Sequence, residues 1–295
     1  MDVAAPSYGL IEWRSEDGLR LVARIYGCGR PGAVPVVCLP GLTRNARDFE
    51  RLAEHVSGHP SAARPVIAFD FRGRGQSDWG PPESYTPMTE AADVLAGLAF
   101  MGIDRCAVVG TSRGGIVAML IAAMRGELIE RVVLNDIGPR IEPGGLDRVA
   151  RAMRAAAPSS DWVEAAAGMR ATYADVFPGF GDPDWDRLAR QLCRTDGDRI
   201  VLDYDPRLIR VFDGFDPATF HVDLWPAYAS LAAVPLMVVR GALSDLVSPA
   251  TVEAMRRGHP RFESCVVPDQ GHAPVLWERW VLERISGFLA DAPLG

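Results

Sequence analysis

Gly110-Thr111-Ser112-Arg113-Gly114 places a serine between two glycines, directly after the apolar run Cys106-Ala107-Val108-Val109 and directly before a helical stretch at 113–125. A sharp turn from strand to helix exposes a serine hydroxyl and strains its backbone, and flanking side chains would collide with the neighbouring strand and helix. A serine hydroxyl is a poor nucleophile until a base removes its proton, so a histidine is required. The candidates are His55, His59, His221, His259 and His272. His55 and His59 fall at a helix end and in the polar loop after it, His221 in a region without strands, and His259 just beyond Arg256-Arg257. His272 lies in Pro268-Asp269-Gln270-Gly271-His272-Ala273-Pro274, the loop beyond the last predicted strand. A doubly wound sheet presents its active residues at the carboxyl ends of its strands, which favours His272.

The imidazole in turn needs a carboxylate to hold its tautomer and stabilise its charged form. Asp245, in Gly241-Ala242-Leu243-Ser244-Asp245 after the penultimate strand, is the first choice. Asp136, in Leu134-Asn135-Asp136, also follows a strand and is the rival, with capping or anchoring as its other reading. An oxyanion formed at Ser112 must meet two backbone N–H donors. Arg113 supplies one from the turn itself. The loop Leu39-Pro40-Gly41-Leu42-Thr43 supplies the other through Leu42, since Gly41 permits close approach.

The elements that must position these groups are legible in the apolar pattern. Residues 7–14 and 19–26 flank Glu16-Asp17-Gly18 and read as an antiparallel hairpin. Short apolar strands then recur at 35–39, 65–69, 106–109 and 131–134, separated by helical stretches near 46–57, 87–101 and 113–125. Runs this short and this apolar, alternating with helices, are strands buried on both faces of a parallel sheet. After Gly138-Pro139 the rhythm stops; 145–156, 160–176 and 183–194 read as helices, with Ser160 and Asp161 as caps and Pro183 in a first turn. It resumes with strands at 235–239 and 262–267 and helices at 249–258 and 275–290. The expected fold is therefore α/β: a mostly parallel, doubly wound sheet of about eight strands with an N-terminal antiparallel hairpin. A helical cap is inserted after the sixth strand. The core spans 1–138 and 229–295, and the cap 139–228. That insertion holds 11 of the 24 aromatic residues. They serve either a small core of its own or the inner wall of an apolar pocket.

Composition removes other chemistries. The chain of 295 residues is 48% hydrophobic and 23% charged, so it folds as a globular protein. Its longest apolar run, Ile116 to Met124, is too short to cross a bilayer. A net charge of −7 disfavours a broad polyanion-binding face, and no nucleic-acid or membrane partner is expected. All 31 basic residues are arginine. Without lysine there is no Schiff base, Walker lysine or lysine general base. The five cysteines (28, 38, 106, 193, 265) are scattered, which fits neither a disulfide framework nor a zinc site, and no metal or cofactor is expected. Cys38 and Cys106 read as core hydrophobes. The start, Met1-Asp2-Val3-Ala4-Ala5-Pro6, lacks the features of a signal peptide, which points to a cytoplasmic location.

Taken together these motifs resemble the α/β-hydrolase superfamily over most of the chain, in its capped serine members. The order Ser112, Asp245, His272 matches that resemblance. So do Asp70-Phe71-Arg72-Gly73-Arg74-Gly75-Gln76-Ser77, similar to a D-x-R-G-x-G-x-S turn after a core strand, and Leu134-Asn135-Asp136-Ile137-Gly138-Pro139 ahead of the lid. The resemblance implies scaffold roles for Asp70 and Arg72. Pro40-Gly41 departs from the His-Gly often found at the oxyanion loop, but backbone donors do not depend on that side chain. A serine at 112 is similar to esterases, lactonases and carbon–carbon bond hydrolases, rather than to dehalogenases or epoxide hydrolases, whose nucleophile is aspartate. The expected activity is hydrolysis of a small, at least partly apolar carboxylic ester or lactone through an acyl-enzyme. The alternatives are cleavage of a ring-fission keto acid or a ligand receptor with little turnover.

Two further patterns read as decoys. Gly27-Cys28-Gly29-Arg30-Pro31-Gly32 matches a dinucleotide fingerprint in letters but leads into a strand rather than a helix. Arg148, Arg151 and Arg154 could clamp a substrate carboxylate, though a solvated helix face explains them more simply.

Overall fold

A computed structural model describes residues 7–28, 30 and 32–290. The first six residues, and two of the dinucleotide-like loop, lie outside the described residues. Strands β1 (Tyr8–Arg14), β2 (Arg20–Tyr26), β3 (Val36–Leu39), β4 (Val66–Asp70), β5 (Cys106–Thr111), β6 (Ile129–Asn135), β9 (Leu236–Gly241) and β10 (Phe262–Val267) form one sheet. They lie in the order β1-β2-β4-β3-β5-β6-β9-β10. β1 pairs antiparallel with β2, and β2 antiparallel with β4; every pairing from β4 to β10 is parallel.

The central strands are short because both faces must be apolar. β3, β4, β5, β6 and β9 are buried at every residue. Alternate residues feed two cores: Val37, Val108, Val132 and Val238 face one side, Val36, Val109, Val133 and Val239 the other. Helices α2 (Pro87–Phe100), α3 (Arg113–Arg125) and α8 (Pro249–Arg257) cover the first side through Val94, Val117 and Met255. Helices α1 (Glu50–Ser57) and α9 (Arg279–Ala290) cover the second through Leu52 and Ile285. Each such buried aliphatic contributes roughly 1.5–3 kcal/mol. Cys38 and Cys106 sit in these cores as expected; burial pushes the Cys106 thiol up to about 12, so it stays protonated.

Between β6 and β9 the chain forms α4 (Pro143–Ala155), α5 (Trp162–Tyr173), α6 (Asp182–Leu192) and α7 (Trp225–Ala229). Asp161 caps α5, accepting from the Glu164 N–H at 2.8 Å, and Pro183 occupies the first turn of α6. This segment is not purely helical. β7 (Cys193–Asp196) and β8 (Arg199–Leu202) make an antiparallel hairpin where the sequence pattern continues a helix to 194. Its turn carries Gly197 at φ +60°, a conformation that glycine takes without steric cost. The segment has its own core around Phe177, Trp185, Leu188 and Ile200, which Val275 and Trp277 complete. That packing also explains why α9 starts at 279 and not 275: the apolar residues before it are used by a loop. Among the described residues no helix is long and apolar enough to cross a membrane.

Candidate active site

The site lies where β3, β5, β6 and β9 end. Ser112 stands between β5 and α3 with φ +50° and ψ −114°, a strained conformation for a residue with a side chain. Two glycines make the turn possible. A Cβ on Gly110 would come within 2.6 Å of the Gly114 carbonyl oxygen, and one on Gly114 within 2.0 Å of the Leu39 carbonyl oxygen. Ser112 therefore sits at the positive end of a thirteen-residue helix, next to the tip of β3.

His272 arrives from the loop after β10. Asn135 anchors that loop by donating from Nδ2 to the Pro274 carbonyl at 2.9 Å and to Thr111 Oγ1 at 3.1 Å. The Gly271 N–H donates to the Val176 carbonyl at 2.7 Å, tying the loop to the inserted segment. In this position His272 Nε2 lies 2.9 Å from Ser112 Oγ, and Nδ1 lies 2.8 Å from Asp136 Oδ2.

The first-choice carboxylate is thus corrected. Asp245 does not meet His272 through a hydrogen bond; its two oxygens accept from Arg148 Nε at 2.6 Å and Nη2 at 2.8 Å. Burial pushes the Asp245 carboxyl up, but the Arg148 hydrogen bonds and charge outweigh it and hold the group below the usual carboxylate range. Asp136 is fully buried at the end of β6. Its N–H continues the ladder to the Val239 carbonyl at 2.7 Å, and a φ of +55° then turns its side chain over the sheet edge. Its Oδ1 accepts from the Gly241 N–H at 2.9 Å and its Oδ2 from Ser244 Oγ at 2.6 Å. The sequence motif after β9 therefore does reach the site, through Ser244 and a backbone donor rather than through its aspartate.

The loop after β3 passes close to Ser112: a Cβ on Gly41 would stand 3.8 Å from Ser112 Cβ. Among the described residues the backbone N–H groups of Leu42 and Arg113 donate to no other protein group, and both residues line a pocket with Ser112 and His272. The Arg113 side chain is held by Glu90 at 3.1 Å, and fully buried Glu90 also pairs with Arg74 at 2.8 Å. No local sequence signal marks Glu90, because its partners come from distant elements. Of the other histidines, His259 is buried with Nε2 3.0 Å from the Leu231 carbonyl, away from Ser112.

The scaffold turn after β4 behaves as the resemblance implies. Asp70 accepts from the N–H groups of Ala46 at 2.7 Å and Gln76 at 3.0 Å. Arg72 is clamped by Asp93 at 2.6 and 2.7 Å and by Asp17 at 2.8 and 3.0 Å. Neither reaches the serine.

Comparison with known proteins agrees with this architecture. A family model described as "Alpha/beta hydrolase family" matches residues 36–282. A 3-hydroxybutyrate-oligomer hydrolase of Cupriavidus necator is 30% identical, the match covering 92% of this chain and 94% of the relative. An N-formylmaleamate deformylase of Pseudomonas putida is 26% identical over 94% of this chain and 92% of its own. The crystal structure of an alpha/beta hydrolase from Novosphingobium aromaticivorans superposes with a TM-score of 0.90 at 38% identity, covering 97% of this chain and 99% of that one.

Proposed function

Because this chain belongs to the alpha/beta hydrolase family, we propose that it is a serine hydrolase that cleaves a carboxylic ester or lactone through an acyl-enzyme. Ser112 is the nucleophile, His272 the general acid–base and Asp136 the carboxylate that orients it. The observation that carries the reading is the unbroken run of hydrogen bonds from Ser112 Oγ through both ring nitrogens of His272 to Asp136. Asp136 accepts from the Gly241 N–H and from Ser244 Oγ, which hold its carboxylate in place against Nδ1; an acceptor there fixes the Nδ1–H tautomer and leaves Nε2 free to take a proton.

In the first half-reaction Oγ bonds to the substrate carbonyl carbon while its proton passes to Nε2. The oxyanion is met by the backbone N–H groups of Leu42 and Arg113 and by the N-terminal dipole of α3. Collapse breaks the carbon–oxygen bond, and Nε2–H protonates the departing alkoxide. Water then attacks the acyl-serine, giving its proton to Nε2, and the second collapse returns it to Oγ. The net change is ester plus water to acid plus alcohol. The relative named for 3-hydroxybutyrate oligomers supports ester chemistry, since oligomers of a hydroxy acid are joined by ester bonds.

Residues 139–228 act as a lid. Phe212, Phe215 and Phe220 from this segment line an apolar pocket that opens onto Ser112, which supports a role beyond packing. The test is Ser112→Ala assayed with p-nitrophenyl acetate. Activity should fall at least about 10³-fold with the fold intact by circular dichroism. A fluorophosphonate should label the wild type and not the variant; persisting hydrolysis would defeat the assignment.

A further inference from the structure

Ser112 and His272 stand between two chambers, one mostly apolar and one that adds charged and polar groups to a partly apolar wall. On one side is a pocket of about 260 Å³ walled by Ile116, Ile137, Leu146, Phe215 and Phe220. On the other is a chamber of about 90 Å³ shared with Asn135, Arg44, Arg148 and Tyr173. Only one arginine of the α4 series faces this chamber. Arg151 pairs with Asp147 and keeps its side chain 69% exposed, whereas the Arg148 side chain is 21% exposed.

Each guanidinium has one edge held by protein. Arg44 Nε donates to Asp48 Oδ2 at 2.6 Å, and the other oxygen of Asp48 accepts from Gln191 Nε2 at 2.6 Å. Arg148 uses Nε and Nη2 on Asp245. A guanidinium carries five N–H donors, so donors remain after the nearby carboxylates are occupied. Among the described residues both Nη atoms of Arg44, Nη1 of Arg148 and the Tyr173 hydroxyl donate to no protein acceptor. Tyr173 is partly exposed; burial pushes it up despite the two neighbouring guanidiniums, so it remains a proton donor. Surplus donors of two cations and a phenol, brought from the loop after β3, from α4 and from α5, converge on a small space beside the nucleophile. Paired donors in a planar fork match a carboxylate.

We infer that this chamber is a carboxylate subsite: the preferred substrate is an ester with a short arm ending in a free carboxylate, held by Arg44, Arg148 and Tyr173, and an apolar arm in the pocket of Phe215 and Phe220. This rests on the serine-hydrolase reading above and adds the substrate class. Arg148 and Arg44 are specificity-determining residues in it, not participants in bond making.

The experiment compares monobutyl succinate with its neutral isostere butyl succinamate. The wild type should favour the acid at least about tenfold in kcat/KM, chiefly through KM. Arg148→Met and Arg44→Met should each cut that preference about tenfold, the usual scale for a lost hydrogen bond to a charged group. A purely structural role for the arginines would lower both rates together and leave the ratio intact, which would overturn the inference. So would a wild-type ratio of one or less, or failure to cleave either ester by enzyme that turns over p-nitrophenyl acetate. If Ser112 takes no fluorophosphonate and no ester is cleaved, the hydrolase reading itself falls, a distinguishable result. Inhibition of p-nitrophenyl acetate turnover in the wild type requires no variant to fold. Succinate should inhibit where succinamide does not, and equal inhibition would overturn the subsite.

Discussion

The ends of β6 and β9 are neighbours in one sheet, and each is followed by an aspartate, yet the two carboxylates meet opposite partners. Asp136 follows β6 immediately, is wholly buried, and has its oxygens surrounded by neutral donors and an imidazole. Asp245 lies four residues beyond Gly241, where β9 ends, keeps 39% of its side chain exposed, and is claimed by a guanidinium. The Arg148 guanidinium takes both oxygens of Asp245, whereas Asp136 presents an oxygen to Nδ1 of an imidazole whose other nitrogen faces Ser112 Oγ. Distance from the strand end decides which occurs: the first residue past a buried strand is still held by the ladder, while the later one has left the sheet.

Exchanging the carboxylates for amides tests this comparison most severely. Asp136→Asn should lower kcat on p-nitrophenyl acetate by about 10³–10⁴-fold, because an amide at this position stabilises neither the tautomer nor the imidazolium. A smaller intervention on the same group is Ser244→Ala, which removes the donor at 2.6 Å from Asp136 Oδ2. It should cost about tenfold in kcat and roughly 1–2 kcal/mol in stability by urea titration. Asp245→Asn should stay within about tenfold of wild type on the same neutral ester. A loss equal to that of Asp136→Asn would erase the distinction drawn between the two strand ends.

The smallest effect concerns a third carboxylate, Asp17, which is bound by Arg72. Hydrogen bonding to Arg72 holds the Asp17 carboxyl down at about 2, below its ordinary 3.8. A depressed pKa contributes stability above the unfolded value, and that stability is lost as pH falls from about 4 through about 2. The side chain is 47% exposed, so the contribution is below about 1 kcal/mol. Asp17→Asn should flatten the acid limb of a stability–pH curve over that window alone, without touching turnover.

Much of this was readable along the chain. The parallel core follows from short, wholly apolar runs, because a strand covered on both faces has no polar side to show. The turn at 110–114 follows from glycines, where side chains would otherwise collide with the Gly114 and Leu39 carbonyls. His272 follows from its place after the last strand. The hairpin at 193–202 was missed because its first strand has no alternation and runs on from α6. The helix expected from 275 was cut short because Val275 and Trp277 are recruited by the core of the inserted segment.

Residue order alone indicated the buried strands, the glycine-flanked turn at Ser112 and the strand-end loop that carries His272, since each depends on neighbours within a few positions: a run, a glycine, a strand end. Tertiary structure decided which aspartate faces the imidazole and which arginine of 148, 151 and 154 turns inward, because those outcomes depend on contacts more than ninety positions apart, as between Arg148 and Asp245. Charge partners of that kind are chosen by the geometry in which strand ends and helices meet, and spacing along the chain carries no record of it.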